Sequence, residues 1–147
     1  FFLSLAQIRT NYYMSKETKI IAKKHYDDAI RFFNQANKEL KLAKKDGKIY
    51  KDVNHLRSAC GSAYLATLDG LNGIFSFKNI IKPKGRSSIE YYQHRASLID
   101  PKLLVSLNIA YRILQIDGYY DGFNDVVTIN RGFEEAEYIV NRLKQLV

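Results

Sequence analysis

Along the first third of the chain, Ala22, Tyr26, Ala29, Phe33, Ala36, Leu40 and Ala43 recur at alternating spacings of four and three. Lys, Asp, Asn and Gln fill most of the intervening positions. That period puts the apolar side chains on one stripe of an α-helix, with the opposite face in water. Small alanines alternate with bulky Tyr, Phe and Leu, so the stripe predicts a partner helix that approaches closely and interlocks. The run ends at Asp46-Gly47, and Lys44 and Lys45 suit the negative end of the helix dipole.

A second helix is expected from near Asp52 through Val53, Leu56, Cys60, Ala63, Thr67, Leu71 and Ile74, again at threes and fours. Ala59, Gly61, Ala66, Gly70 and Gly73 supply small surfaces for close backbone approach, and the short connection predicts an antiparallel hairpin. Residues 76–88 lose the period and contain Pro83 and Gly85, which reads as a basic loop. A short helix follows over Ile89 to Leu98, with Ile89, Tyr92 and Ala96 on one face. Asp100-Pro101 then gives a cap and a first-turn proline for a helix reaching about Ile116, burying Leu104, Leu107, Tyr111 and Leu114. Residues 117–125 are expected to break that helix, and Val126-Val127-Thr128-Ile129 reads as a short extended stretch. The last helix follows Phe133, Ala136, Ile139 or Val140, Leu143 and Leu146.

The elements amount to an all-α fold, a four- to five-helix antiparallel bundle. Met14 is followed by Ser15-Lys16-Glu17, an ordinary start for a folded domain. Residues 1–14 are therefore set apart as an N-terminal extension, and residues 15–147 as one helical domain. No repeat of fixed period is evident.

Composition sharpens this picture only in places. At 147 residues with 46% apolar side chains the chain can bury a real core, and two prolines leave long stretches free of helix breakers. The net charge of +8 is uneven: residues 1–99 hold 18 basic and 8 acidic side chains, residues 100–147 hold 5 and 7. Such a field attracts phosphate polymers, acidic proteins or anionic surfaces, and also keeps a protein in solution. Cys60 is the single cysteine, so there is no intrachain disulfide and a cytoplasmic setting is expected. No apolar run approaches the roughly 20 residues of a membrane span.

Candidate chemistry is sparse. Gly70-Leu71-Asn72-Gly73 has a bare GxxG spacing, but it sits on the second helix, where close packing explains it. His25, His55 and His94 are scattered, Cys60 lies on an apolar seam, and Ser62 lacks a nucleophile elbow. Asp117, Asp121 and Asp125 share a glycine-containing turn but miss the calcium-loop spacing, so capping explains them. No metal or cofactor is expected. The most informative cluster is Lys78, Lys82, Lys84 and Arg86, followed by Tyr91, Tyr92, His94 and Arg95. Basic and aromatic side chains together can grip a nucleotide or single strand, which makes Lys78, Lys82, Lys84, Arg86, His94 and Arg95 anion-binding candidates. A solvated loop is the plainer explanation.

Three segments carry a resemblance: Tyr26-Asp27-Asp28-Ala29-Ile30-Arg31-Phe32-Phe33, Lys44-Lys45-Asp46-Gly47-Lys48-Ile49-Tyr50, and Arg57-Ser58-Ala59-Cys60-Gly61-Ser62-Ala63-Tyr64-Leu65-Ala66. Over residues 22–75 they resemble the first two helices of HEPN-like bacterial domains. The resemblance implies a four- or five-helix bundle, frequent homodimers, and roles in nucleotide or RNA transactions, sometimes beside a nucleotidyltransferase partner. The catalytic branch of that superfamily carries Arg, four to six residues, then His. This chain departs from it, because seven residues separate Arg86 from His94. The expectation is therefore a non-catalytic binding or assembly module, a homodimer that meets a nucleotide, RNA or an acidic protein partner. The alternative is a ribonuclease or toxin-like enzyme with an atypical Arg86 and His94 pair.

Overall fold

A computed structural model describes residues 4–78, 80 and 87–147, leaving aside the side chains of residues 6–15. The candidates Lys82, Lys84 and Arg86 lie outside the described residues. The described chain folds as an all-α bundle of five α-helices, with one two-residue-per-strand hairpin as its only sheet.

Helix α1 spans Leu5–Ala43 and runs past Met14 without a break in its backbone. Helix α2 spans Val53–Phe77. The two lie antiparallel, because His25 meets Asp69 at one end of the pair and Glu39 meets His55 at the other. Ala22, Ala29, Ala36 and Ala43 of α1 are all fully buried, as the stripe in the sequence requires. Ala36 and Ala43 share a core cluster with Ala59, Cys60 and Ala63 of α2, and Ala29 clusters with Ala66. Methyl-sized side chains on both faces let the helices approach closely, and Phe33 and Leu40 fill the gaps beside them.

Strands β1 (Lys45–Asp46) and β2 (Ile49–Tyr50) connect these helices through Gly47, whose φ of +63° is a left-handed value that favours glycine. Tyr50 is buried, and its hydroxyl donates to Asn130 Oδ1 at 2.7 Å. Its backbone N–H donates to the Asn124 carbonyl at 2.9 Å. The hairpin thus ties the α1–α2 connection to the turn before the last helix.

Helix α3 (Ile89–Ser97) is capped by Ser88, α4 (Pro101–Ala110) by Asp100, and α5 (Val126–Lys144) by Asp125. Each cap side chain accepts a hydrogen bond from the backbone N–H three residues on, which satisfies one of the donors left open at a helix start. Two expectations are corrected here. Residues 117–120 do not break the fourth helix, because α4 continues directly into a π-helical segment, Tyr111–Tyr120. Val126–Ile129 is the first turn of α5 and not an extended stretch, since Asp125 accepts from the Thr128 N–H at 3.0 Å and its hydroxyl at 2.8 Å.

A glycine lets the π-helical segment pack closely on α2. A Cβ on Gly118 would collide with Cys60 Sγ and lie 2.8 Å from Cys60 Cβ, so only glycine lets this segment rest on α2. Arg112 and Asp117, five residues apart and therefore one π-turn apart, approach to 3.5 Å. Helix α5 closes the bundle against α2 and α4 through Ile139, Val140 and Leu143. Arg142 of α5 reaches Asp100 at the start of α4, 2.6 Å away. Among the described residues no helix is long and apolar enough to cross a membrane.

Candidate functional site

The GxxG glycines have a packing role. A Cβ on Gly70 would lie 3.1 Å from Ile139 Cγ2, and one on Gly73 would strike the Leu143 side chain. Both glycines admit α5. Cys60 is fully buried, and burial pushes its thiol up to about 12, so it is protonated and shielded at neutral pH. Asp117 faces Arg112, and Asp125 caps α5. Among the described residues no group of three or more His, Cys, Asp or Glu is placed to hold a metal ion.

Of the anion-binding candidates, Lys78 is exposed at the C-cap of α2. His94 and Arg95 lie side by side on α3. Consecutive helix residues point about 100° apart, so these two do not converge on one atom. His94 is exposed, and its ring makes no hydrogen bond or ion pair with a described residue. Arg95 is half-buried, with its guanidinium 5.7 Å from the centre of the Tyr91 ring.

A cavity lies where α2 meets the π-helical segment and the start of α3. It holds about 710 Å³ and is lined by Ser58, Ser62, Tyr64, Leu65, Ser87, Tyr111, Gln115, Tyr119 and Tyr120, among others. Each element places its part for a local reason. Residues 58, 62 and 65 of α2 are spaced at four and three and so form one stripe beside the buried Ala59, Cys60 and Ala63. Gly61, between them, leaves room for the ring of Tyr119, whose Cδ2 lies 3.2 Å from where a Cβ would sit. The π-helical segment brings in Tyr111, Gln115, Tyr119 and Tyr120. Tyr64 and Tyr111 pack with ring centres 5.9 Å apart, and Tyr119 meets Tyr120 edge-on at 5.3 Å. Burial raises the Tyr64 hydroxyl, helped by the neighbouring Tyr111. The phenol therefore stays neutral, and the cavity offers rings, hydroxyls and an amide with no ionised side chain in the lining named above.

Arg57, next in the chain to Ser58, is not among the lining residues and lies over Gly122. Sequence reasoning quoted Arg57 within a resemblance but did not mark it as a site residue. It missed Ser58, Ser62 and Gln115 as well, because isolated polar residues on a helix carry no local signal. Tyr119 and Tyr120, both exposed, line this cavity. A separate exposed cluster, Lys41, Lys44, Lys45, Lys48 and Lys51, surrounds the β-hairpin.

Over residues 24–145 the chain matches a family described as "Domain of unknown function (DUF5618)". The chain belongs to this family. Membership spans all the described elements from the middle of α1 to the end of α5, the cavity included. A solved structure of a protein of unknown function from Dyadobacter fermentans is similar to this DUF5618 chain at 27% identity, with a TM-score of 0.76. The match covers 86% of this chain and 98% of that one. No curated protein matches. Neither match names a HEPN domain, so that classification rests on the resemblance of residues 22–75 alone.

Proposed function

We propose that this DUF5618 chain is a non-catalytic binding module, at work in the cytoplasm, whose tyrosine-lined cavity takes up the flat ring of a nucleotide, free or within a short stretch of RNA. The carrying observation is the cavity itself: about 710 Å³ between α2 and the π-helical segment, with four tyrosines, three serines and Gln115 in its lining. Its size falls in the roughly 300–1,000 Å³ range of small-molecule sites. Aromatic rings stack on bases of any sequence, and hydroxyls and an amide match base and sugar edges. π-Helical segments recur at functional sites because they displace side chains from the regular helical register. The surplus of positive charge on the chain as a whole attracts a phosphate-bearing ligand.

A titration with adenosine, guanosine, cytidine and uridine, followed by nuclear magnetic resonance, tests this reading. Saturable shifts confined to residues 58–65 and 111–120 are expected. Tyr119→Ala should weaken binding about tenfold, the usual size of one lost stacking contact. Flat titrations with all four nucleosides would reject the cavity as a base site.

Homodimer formation belongs to the same proposal. Leu98, Val105 and Val127 are 61%, 54% and 79% exposed and lie outside the cavity lining, so they offer apolar area to a second copy. Light scattering on a gel-filtered sample tests this, and a strictly monomeric species at high micromolar concentration removes that part. The ribonuclease alternative has less support, since a general base is held in place by a partner and the His94 ring has none among the described residues. RNA cleavage by the pure protein, abolished in His94→Ala, would replace the binding reading.

A further inference from the structure

Residues 41–51, at the end of α1 and through the β-hairpin, carry five lysines, Lys41, Lys44, Lys45, Lys48 and Lys51, against one carboxylate, Asp46. All five lysines are exposed, and Lys41, Lys44, Lys45 and Lys51 form no ion pair with a described residue. Lysines at a helix C-terminus ordinarily answer its partial negative charge. Here the backbone does much of that work: the carbonyls of Lys41, Ala43 and Lys44 accept from the N–H groups of Lys44, Asp52 and Lys51 at 3.3, 2.8 and 2.7 Å. Two nearby carboxylates are engaged as well, Glu39 with the His55 ring at 2.8 Å and Asp52 with the His55 N–H at 3.1 Å. The ammonium groups keep a surplus of positive charge that nothing within the described chain offsets.

Lys44 adds a second, independent sign. Its φ of +55° is left-handed, a conformation that helices usually give to a glycine just past their last turn. A lysine there carries a backbone cost that glycine avoids, and such positions cluster where the side chain serves a ligand. From this position Lys44 lines two cavities. One, about 460 Å³, lies between the end of α1, the hairpin and α5, and its lining includes Asn37, Lys41, Lys44, Lys45, Tyr50 and Asn130, with no carboxylate. The buried Tyr50 donates its hydroxyl to Asn130 Oδ1, which fixes that amide and leaves its nitrogen as a donor. The other cavity, about 670 Å³, joins Lys44 to Lys51 beside Asp52 and His55.

Three ammonium groups and an amide nitrogen around one open cavity suit an anion that accepts from several directions. A phosphate does so, whereas a planar carboxylate is matched better by the fork of an arginine, and none lines either cavity. Two cavities that share one lysine suit successive charges on one ligand. We propose that Lys41, Lys44 and Lys45, with Lys51 alongside, form a binding site for linked phosphate groups. A phosphodiester chain and a free polyphosphate present the same chemistry to it. The site shares no lining residue with the tyrosine cavity and does not rest on the function proposed above.

Titration of the full chain with a labelled oligouridylate and with inorganic tripolyphosphate, over a range of salt concentrations, tests the site. At least one of the two is expected to bind, with log affinity falling linearly against log salt. Lys44→Gln and Lys45→Gln should each weaken binding about tenfold, and each should lower the salt slope for oligouridylate by about 0.7. Lys44→Gly removes the backbone cost together with the charge, so it should melt no lower than the parent and still bind weakly, which separates lost binding from lost folding. Lys102→Gln deletes the same charge at the other end of the bundle, where Asp100 meets Arg142, and should change affinity by less than about twofold. Tripolyphosphate that displaces oligouridylate marks the phosphates alone as sufficient; oligouridylate binding without tripolyphosphate binding assigns the site to the chain. Absence of binding by both, equal weakening in Lys44→Gln and Lys102→Gln, or equal affinity for an oligoglutamate of the same charge would overturn the proposal. Nucleoside binding without any lysine-dependent phosphate binding removes this site and leaves the tyrosine cavity standing; the reverse result removes the cavity reading alone.

Discussion

The α1–α2 hairpin and the edge built from α3 and the π-helical segment solve packing in opposite ways. In the hairpin, buried alanines meet alanines, and the polar side chains that cross the seam are paired, His25 with Asp69 at 3.3 Å and His55 with Glu39 at 2.8 Å. The buried Thr67 hydroxyl on α2 donates to the Ala63 carbonyl at 2.9 Å. At the edge, tyrosines replace alanines, and buried donors on Ser87, Tyr91 and Arg95 stay unpaired. A region whose bonding is complete gains from rigidity and has little left to offer a ligand. A region that opens a cavity and leaves donors unmet gives up some stability and keeps the capacity to bind.

The largest test of this contrast is Ala36→Leu. Ala36 is fully buried and shares a cluster with Ala59, Cys60 and Ala63, so added methyl groups have no space to enter. Urea denaturation should show a loss of about 3 kcal/mol, the upper end of overpacking costs. Leu65→Ala, at a site 47% exposed beside the cavity, should cost under about 1 kcal/mol. Equal losses would erase the distinction between the two regions.

Next in size is Gly118→Ala, expected to cost about 2 kcal/mol, because the new methyl group must displace Cys60 or move the π-helical segment. Combining it with Cys60→Ala should recover part of that loss, a coupling that a double-mutant cycle measures. Strict additivity would show that the two side chains do not compete for one space.

Asp100→Asn should cost about 1 kcal/mol at neutral pH, since it keeps a capping oxygen for α4 but breaks the pair with Arg142. Burial alone would raise the Asp100 carboxyl, but the Leu103 N–H and the Arg142 guanidinium outweigh it and hold the group below its ordinary value. The stabilising contribution is then present above the unfolded value, near 3.9, and is lost as pH falls through the lower folded value. The gap between parent and variant should narrow in acid, and a gap independent of pH would refute the ion pair's part.

The hairpin was legible because its stripe is local: Ala22 to Ala43 states the period, the small partner surface and the direction of packing within one segment. The Asp100-Pro101 start was legible for the same reason. The π-helical segment was not, because its packing depends on Gly118 meeting Cys60, residues far apart in sequence. Val126 to Ile129 read as extended from β-branched side chains, a preference that the Asp125 cap and the Tyr50 hairpin override. Arg95 stood out by charge, while Ser87 could be recognised as cavity lining only in the folded chain.

The smallest effect separates a paired histidine from its surroundings. The His55 proton is held above the ordinary histidine value chiefly by its hydrogen bond with Glu39; desolvation opposes this, and the charges of Asp52 and Glu39 add to it. A raised folded value means that the contribution is complete below the unfolded value of about 6.5 and is lost as pH rises through the folded one. The side chain is 39% exposed, so the effect is modest and salt should weaken it further. Chemical denaturation of the parent chain and of His55→Gln between mildly acidic and neutral pH should show curves that differ most on the acid side. Glu39→Gln should flatten the profile as fully as His55→Gln does, and the double variant should lose nothing more. A parent profile that survives either substitution would mean that the seam is held by its alanines alone, and that pairing does not distinguish the hairpin from the edge.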